Sequence, residues 1–208
     1  MAEDRNKNRV LRNLNNEVNV DSLGLVYPAC YSPPGNASGH KGRMRRLFTI
    51  GYEGLTLAEF LARLVERGIN LVVDVRELPL SRRKGFSKTP LSQALAGAGI
   101  EYRHERALGA PKPVRERLRA DKDLNGYFRR FDRYLATQGP VLENLAETCM
   151  GRVALLCVER DPETCHRSSV ARELGRIADL VPVHLGVEGD GQVRKAAGLH
   201  PRQSLPAT

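Results

Sequence analysis

Apolar residues recur along this chain in two alternating rhythms. Short unbroken apolar runs of strand length are separated by stretches in which leucines and aromatics return every three or four positions. Leu47 to Ile50 reads as a first strand. Thr56-Leu57-Ala58-Glu59 has the form of a capping box, in which hydroxyl and carboxylate each satisfy the other's backbone N–H. It opens a helix through Arg67 with Leu57, Phe60, Leu61 and Leu64 on one face. Ile69 to Val75 is a mainly apolar stretch around Leu71-Val72-Val73, as expected of a strand covered on both sides. Thr89-Pro90 opens a second helix that stops at the Gly97/Gly99 break, and Ile100 to His104 makes a third, shorter strand. Leu124, Tyr127, Phe128, Phe131, Tyr134 and Leu135 then recur at helical spacing, with Arg129, Arg130 and Arg133 off that stripe. Another helix carries Leu142, Leu145, Ala146 and Cys149; Val153 to Val158 is a fourth strand, Ser168 to Ala178 lies in the last long helix, and Val181 to Leu185 is a fifth strand. Strands alternating with helices predict an α/β fold: three layers, a mainly parallel central sheet of about five strands, helices on both faces, and a single domain.

The ends differ from this pattern. Residues 1–44 are rich in asparagine, then in proline, glycine and serine, and cannot bury enough apolar area to offset the entropy of ordering them. They are expected to form a disordered or irregular extension, with Met44 as an alternative start of translation. The α/β domain is expected over 45–186, and residues 187–208, polar and glycine-bearing, as a flexible tail.

In open parallel sheets, ligands bind beyond the carboxyl ends of the strands. Here those ends carry Tyr52 and Glu53, Asp74 and Arg76, Tyr102 and His104, and Glu159 leading into Cys165-His166-Arg167. Asp161-Pro162 reads as an N-cap followed by proline at the first helical position, which places the Cys-His-Arg run near a helix N-terminus. Unpaired N–H groups there favour an anion, or a thiolate at Cys165 itself. The same cysteine could instead be core packing. Asp74 and Glu159 could serve as acids or bases, or pair with Arg76 and Arg167 to hold loops. His104 could be a second proton carrier but reads rather as a strand-end surface histidine, and His184 reads as structural. The loop from Glu77 to Lys88 gathers Ser81, Arg82, Arg83 and Lys84 beside Phe86, which reads as an exposed aromatic suited to stacking.

Charge and composition narrow the choice. A net charge of +9 points to an anionic partner. No apolar stretch approaches the roughly 20 residues that span a bilayer. No hydrophobic signal region opens the chain, and a reduced, cytoplasmic setting is expected for its four cysteines. Those cysteines show neither a CxxC pair nor zinc-ligand spacing, so no metal and no cofactor are expected, and Cys149 and Cys157 read as small core residues. Neither GxxxxGK nor GxGxxG occurs. Six residues separate Cys165 from Arg172, one more than the phosphate-wrapping loop of cysteine-dependent phosphatases has.

Four segments, TIGYEG (49–54), DVRELPLSRRKGFSK (74–88), IEYRHERALG (100–109) and LLCVERDPETCHR (155–167), closely resemble the family called domain of unknown function 488. The resemblance spans about residues 46–185. It implies a bacterial or archaeal cytoplasmic protein with a compact α/β fold and supplies no activity. It does imply positions: Tyr52, Asp74, Arg76, Ser81, Arg82, Phe86, Tyr102, Leu108, Gly109, Glu159, Cys165, His166 and Arg167 match the family's motif residues. The expectation is therefore an enzyme acting on a phosphate-bearing substrate, a nucleotide or nucleic acid. Asp74, Glu159, Cys165 and His166 would be catalytic; Tyr52, Arg76, Ser81, Arg82, Phe86, Tyr102 and Arg167 would bind substrate. The alternatives are a non-catalytic module that binds nucleic acid or another anion, and a redox-responsive cysteine protein. All three expect the polar stretches to meet in one pocket along one rim.

Overall fold

The computed structural model describes residues 44–186, together with three short strands. Two of these, β1 (Val18–Val20) and β2 (Val26–Pro28), pair antiparallel within the unit Met1–His40, and the third, β8 (Arg194–Lys195), belongs to the unit Lys41–Thr208. Those strands and Met44 apart, the extension expected over 1–44 and the tail expected over 187–208 lie outside the described residues.

The second unit is a single α/β domain. Its strands are β3 (Met44–Gly51), β4 (Leu71–Asp74), β5 (Glu101–His104), β6 (Gly151–Cys157), β7 (Val183–Leu185) and β8, in the spatial order β5-β4-β6-β3-β7-β8. All pairings are parallel except that of β7 with β8. The helices are α1 (Leu57–Glu66), α2 (Lys88–Gly97), α3 (Lys112–Asp121), α4 (Leu124–Ala136), α5 (Gly139–Thr148) and α6 (Arg167–Ala178).

Handedness sorts the helices into layers. From β3 to β4 and from β4 to β5 the chain moves toward one edge of the sheet; from β5 to β6 and from β6 to β7 it moves back toward the other. Right-handed crossovers must then place α1 and α2 on one face and α3–α6 on the opposite face. The core follows that division. Phe48, Ile50, Val72, Ala154 and Leu156 pack with Phe60, Leu64, Leu91 and Leu95 of α1 and α2. Their strand neighbours Leu47, Leu71, Val73, Val153 and Leu155 pack with Phe131, Leu135, Leu142, Leu145, Val170 and Leu174 of the other layer. Strand side chains alternate between faces, so each strand feeds both cores.

Local signals hold where their chemistry is complete. Thr56 accepts from the Glu59 N–H at 3.2 Å and donates its own N–H to the Glu59 carboxylate at 2.7 Å, so the capping box is real. At α2 the residue before the helix is Ser87, two positions ahead of the expected Thr89-Pro90 opening. Asp161 caps only a 3₁₀ turn, Pro162–Thr164; α6 begins at Arg167, with His166 at its N-cap position. The apolar pattern predicts nothing between His104 and Leu124, yet α3 forms there with no buried residue. Proline in its first turn and the i,i+4 pairs Lys112–Glu116 and Arg117–Asp121 favour the helix, which meets the core only through the partly buried Val114 and Leu118. No helix among the described residues is long and apolar enough to cross a membrane.

Candidate functional site

The polar residues predicted at the strand ends do gather at the carboxyl edge of the sheet, but they do not form one pocket. Alternation along β4 and the residues after it divides them. Val73 and Val75 face the α3–α6 layer, whereas Asp74 and Arg76 contact side chains packed in the α1–α2 layer. Two buried clusters result, back to back across the end of β4.

The first cluster is a saturated ion pair. Arg76 donates from Nε to Asp74 Oδ1 at 2.8 Å and from Nη2 to Oδ2 at 2.5 Å, with Asp74 fully buried and Arg76 only 3 % exposed. The Tyr102 hydroxyl donates to Asp74 Oδ2 at 2.7 Å, and the Arg76 N–H donates to Oδ1 at 3.1 Å. The remaining guanidinium nitrogen donates to the Phe86 carbonyl at 2.9 Å and to Tyr52 Oη at 3.3 Å. Burial works against the Arg76 charge, but the hydrogen bond and charge of Asp74 outweigh it and raise the pKa. Burial and the bond to Asp74 also raise that of Tyr102. Phe86 is not the exposed platform expected: it is 1 % exposed, stacked on Tyr52 at 4.4 Å and edge-on to Phe60 at 5.4 Å. The loop above it is tied to itself, Ser81 N–H donating to Ser87 Oγ at 3.1 Å and Lys88 N–H to the Pro79 carbonyl at 2.9 Å. Arg82 and Lys84 stand exposed on that loop. His104 Nε2 lies 2.9 Å from the Arg76 carbonyl.

The second cluster is built where β6 ends and α6 begins. Cys157 is the last residue of β6, and Glu159, two positions on, returns to the same side. Both Cys157 Sγ and Cys165 Sγ donate to one carboxylate oxygen, Glu159 Oε2, at 3.1 and 2.9 Å. His166 Nε2 sits 2.9 Å from the Val75 carbonyl, which assigns the proton to Nε2 and leaves Nδ1 facing Cys157 Sγ at 3.8 Å. Phe131 meets the imidazole edge-on at 5.1 Å, and the buried Tyr127 of the same helix stands near the two sulfurs and Glu159. One atom from each of Cys157, Glu159, Cys165 and His166 lies within 4.8 Å of the other three.

These four groups share protons rather than saturate one another. Burial pushes the Cys157 thiol up, and its hydrogen bond with Cys165 pushes it further. Burial would also raise Cys165, but the hydrogen bonds from Cys157 and His166 and the charges of His166 and Arg167 hold it well below the usual thiol range. The two thiols therefore titrate as a pair, with Cys165 the one that gives up its proton more readily. His166 resists burial through its bond to that sulfur and is raised. Glu159 is raised by burial and by the charge and hydrogen bond of Cys165.

Arg167 does not pair with the Glu159 side chain. It is fully buried and donates to the Glu159 carbonyl, to the Arg160 carbonyl at 3.0 Å and to Thr49 Oγ1 at 3.3 Å. The guanidinium thus holds the backbone of the loop that carries Glu159. Gly51 makes room for it, since a Cβ there would lie 1.7 Å from the Glu159 carbonyl oxygen. Gly109 is similarly required, because a Cβ would lie 2.1 Å from the Glu77 nitrogen.

Pattern reading missed Cys157, Tyr127 and Phe131 as members of the site. The available signal was the i, i+2 spacing of Cys157 and Glu159 at a strand end, which puts both on one face.

An α/β domain with a buried thiol–carboxyl–imidazole cluster at the carboxyl edge of its sheet is the class these features define. Residues 56–174 match the family described as domain of unknown function DUF488, and the chain belongs to that family. Neither a curated protein nor a solved structure matches it.

Proposed function

We propose that this protein is a cytoplasmic enzyme acting on an anionic, phosphate-bearing small molecule at the carboxyl edge of the sheet, with Cys165 as its reacting group. The observation that carries the reading is the shared oxygen Glu159 Oε2, which touches both thiols of the cluster. Glu159 is its partly exposed member. In the reaction, a Cys165 Sγ electron pair forms a bond to the electrophilic atom while the leaving oxygen takes the proton held by Glu159. Glu159 then accepts a proton from the water that cleaves the intermediate and restores the thiolate. His166, oriented by the Val75 carbonyl, stabilises the sulfur's charge. The N-terminus of α6, where Cys165 and His166 lie, supplies the attraction for the anion. Asp74 and Arg76 hold the neighbouring loop and do not touch substrate, because their polar atoms are already paired.

The full chain, assayed for phosphate or alcohol release from p-nitrophenyl phosphate, bis(p-nitrophenyl) phosphate and the nucleoside triphosphates, tests this. Cys165→Ala should abolish turnover, and Glu159→Gln should lower kcat about 10²–10⁴-fold. Wild-type turnover in both variants overturns the assignment.

The non-catalytic, nucleic-acid-binding reading is weakened by the basic helix α4, where Arg129 pairs with Asp123 at 3.5 Å and Arg130 with Asp121 at 3.3 Å. It becomes the better reading if no phosphate compound turns over and nucleic acid binds with a steep salt dependence. A Cys165 that alkylates readily without any turnover would point to the redox-responsive alternative.

A further inference from the structure

We infer that Cys157, Glu159, Cys165 and His166 together form a binding site for one thiophilic divalent cation of the zinc class. The inference goes beyond the proposed turnover and does not need it, because it rests on where four donor atoms stand.

The donor set is the first argument. Two thiols, an imidazole and a carboxylate suit zinc, whereas magnesium and calcium take oxygen ligands only. Geometry is the second. Around zinc, with Zn–S near 2.3 Å and Zn–N near 2.0–2.1 Å, a tetrahedron separates neighbouring donors by about 3.3–3.8 Å. The cluster already shows 2.9 Å from Cys165 Sγ to Glu159 Oε2, 3.1 Å from Cys157 Sγ to the same oxygen and 3.8 Å from Cys157 Sγ to His166 Nδ1. No pair among the four exceeds 4.8 Å, so closing on an ion needs side-chain movements of about an ångström.

Orientation is the third. A metal-ligating histidine almost always donates its other ring N–H to a carbonyl or carboxylate, which fixes the tautomer. His166 meets that condition through Nε2 and the Val75 carbonyl at 2.9 Å, presenting Nδ1 to the sulfurs. Surroundings supply the fourth. The buried Tyr127 and Phe131 cover the group, and the nearby buried Arg167 balances the single negative charge left when two thiolates and one carboxylate surround a divalent ion. On binding, sulfur–metal bonds replace the sulfur–hydrogen bonds, and the displaced protons leave to solvent.

The pattern Cys-x-Glu-x5-Cys-His joins the last residue of a strand to the N-cap of a helix, unlike the looped CxxC spacings of zinc fingers. Ion and electrophile would compete for Cys165 Sγ, so an occupied site masks the thiol.

The test uses the full chain freed of metal by a chelator and titrated with Co²⁺, then with Zn²⁺. One equivalent of Co²⁺ should produce visible d–d bands of tetrahedral intensity and a sulfur-to-cobalt charge-transfer band in the near ultraviolet. One equivalent of Zn²⁺ should remove both, while Mg²⁺ and Ca²⁺ should not. Cys157→Ser and Cys165→Ser should each weaken the charge-transfer band, whereas Cys149→Ser, a buried thiol outside the cluster, should leave spectrum and stoichiometry unchanged. Should the serine variants fail to fold, the wild-type chain still decides: bound Zn²⁺ must slow alkylation of Cys157 and Cys165 by N-ethylmaleimide, read by peptide mass spectrometry, and leave Cys149 as it was. A featureless cobalt titration, or an unchanged spectrum in the folded Cys157→Ser/Cys165→Ser double variant, overturns the site. Since these readouts measure coordination, metal binding without phosphate turnover would sink only the proposed function, and turnover without metal binding only this inference.

Discussion

Two buried polar clusters stand on opposite faces of the same strand end, and they differ in how their valences are used. Around Asp74 and Arg76, both carboxylate oxygens and all three guanidinium nitrogens have partners within ordinary hydrogen-bond distance. Around Cys157, Glu159, Cys165 and His166, two donors compete for one oxygen and one imidazole nitrogen looks toward sulfur without a good hydrogen bond. A saturated pair fixes geometry. An unsaturated group can still accept a proton, an electrophile or an ion. Burial alone therefore does not separate scaffold from chemistry; the filling of donor and acceptor capacity does.

The largest expected effect attacks the saturated side. Arg76→Met strands a carboxylate with Asp74 completely buried, and should cost about 3–5 kcal/mol in urea unfolding. A loss below about 1 kcal/mol would show that the pair is no scaffold. Next comes Gly51→Ala, whose Cβ cannot coexist with the Glu159 carbonyl in its present position. It should cost about 1–3 kcal/mol by forcing the loop outward. The same change should slow alkylation or turnover at Cys165, because Gly51 pairs with Cys157 across the sheet and borders the Glu159 loop; unchanged Cys165 chemistry would disconnect this loop from the site.

Cys165→Ala tests the other cluster and should reverse the ranking. Stability should fall by no more than about 1–2 kcal/mol, since one small buried group is removed, while any turnover disappears. If it instead unfolds the protein as thoroughly as Arg76→Met, both clusters are scaffold and the contrast between them fails.

The smallest effect is one of pH. His184, 2.8 Å from Thr49 Oγ1, is lowered below its ordinary 6.5 by burial and by the Arg167 charge. The unfolded chain then binds the proton first, so its contribution is complete above pH 6.5 and is lost as pH falls toward the lower folded value. His166, raised above 6.5, acts in the opposite sense, its contribution being present below that value and lost as pH rises. Replacing His184 by Gln should therefore flatten the acid side of the stability profile and leave the neutral side intact. Chemical unfolding at several pH values reads this, and an unaltered slope below pH 6.5 would remove His184 from the account.

Much of this architecture was legible without coordinates, for local reasons. The capping box at Thr56 and Glu59 needs only neighbouring atoms, and the unbroken run ending at Asp74 demands cover on both faces. Helix α3 escaped because two apolar positions, Val114 and Leu118, among charged residues are too short a period to stand out in the chain. Phe86 was misplaced because its burial depends on Tyr52 and Phe60, far away in sequence. The expected single pocket failed on parity: Asp74 and Arg76 point away from the face on which the Val75 side chain and Cys165 pack. The possible metal donors escaped for a related reason, since ligand spacings familiar from loops do not describe a site shared between a strand end and a helix cap.

What the order of residues determined by itself was the alternation of strands and helices, the α/β class, and the fact that the chemically versatile side chains fall at strand ends. Those follow from short-range periodicity and capping, which the chain carries within a few positions. Only the tertiary structure decided which of those side chains meet. Strand pairing and crossover handedness set which face each residue joins: Asp74 and its partner Leu156 turn to the face of the closed ion pair, while the next residues, Val75 and Cys157, turn to the face where two sulfurs, a carboxylate and an imidazole meet.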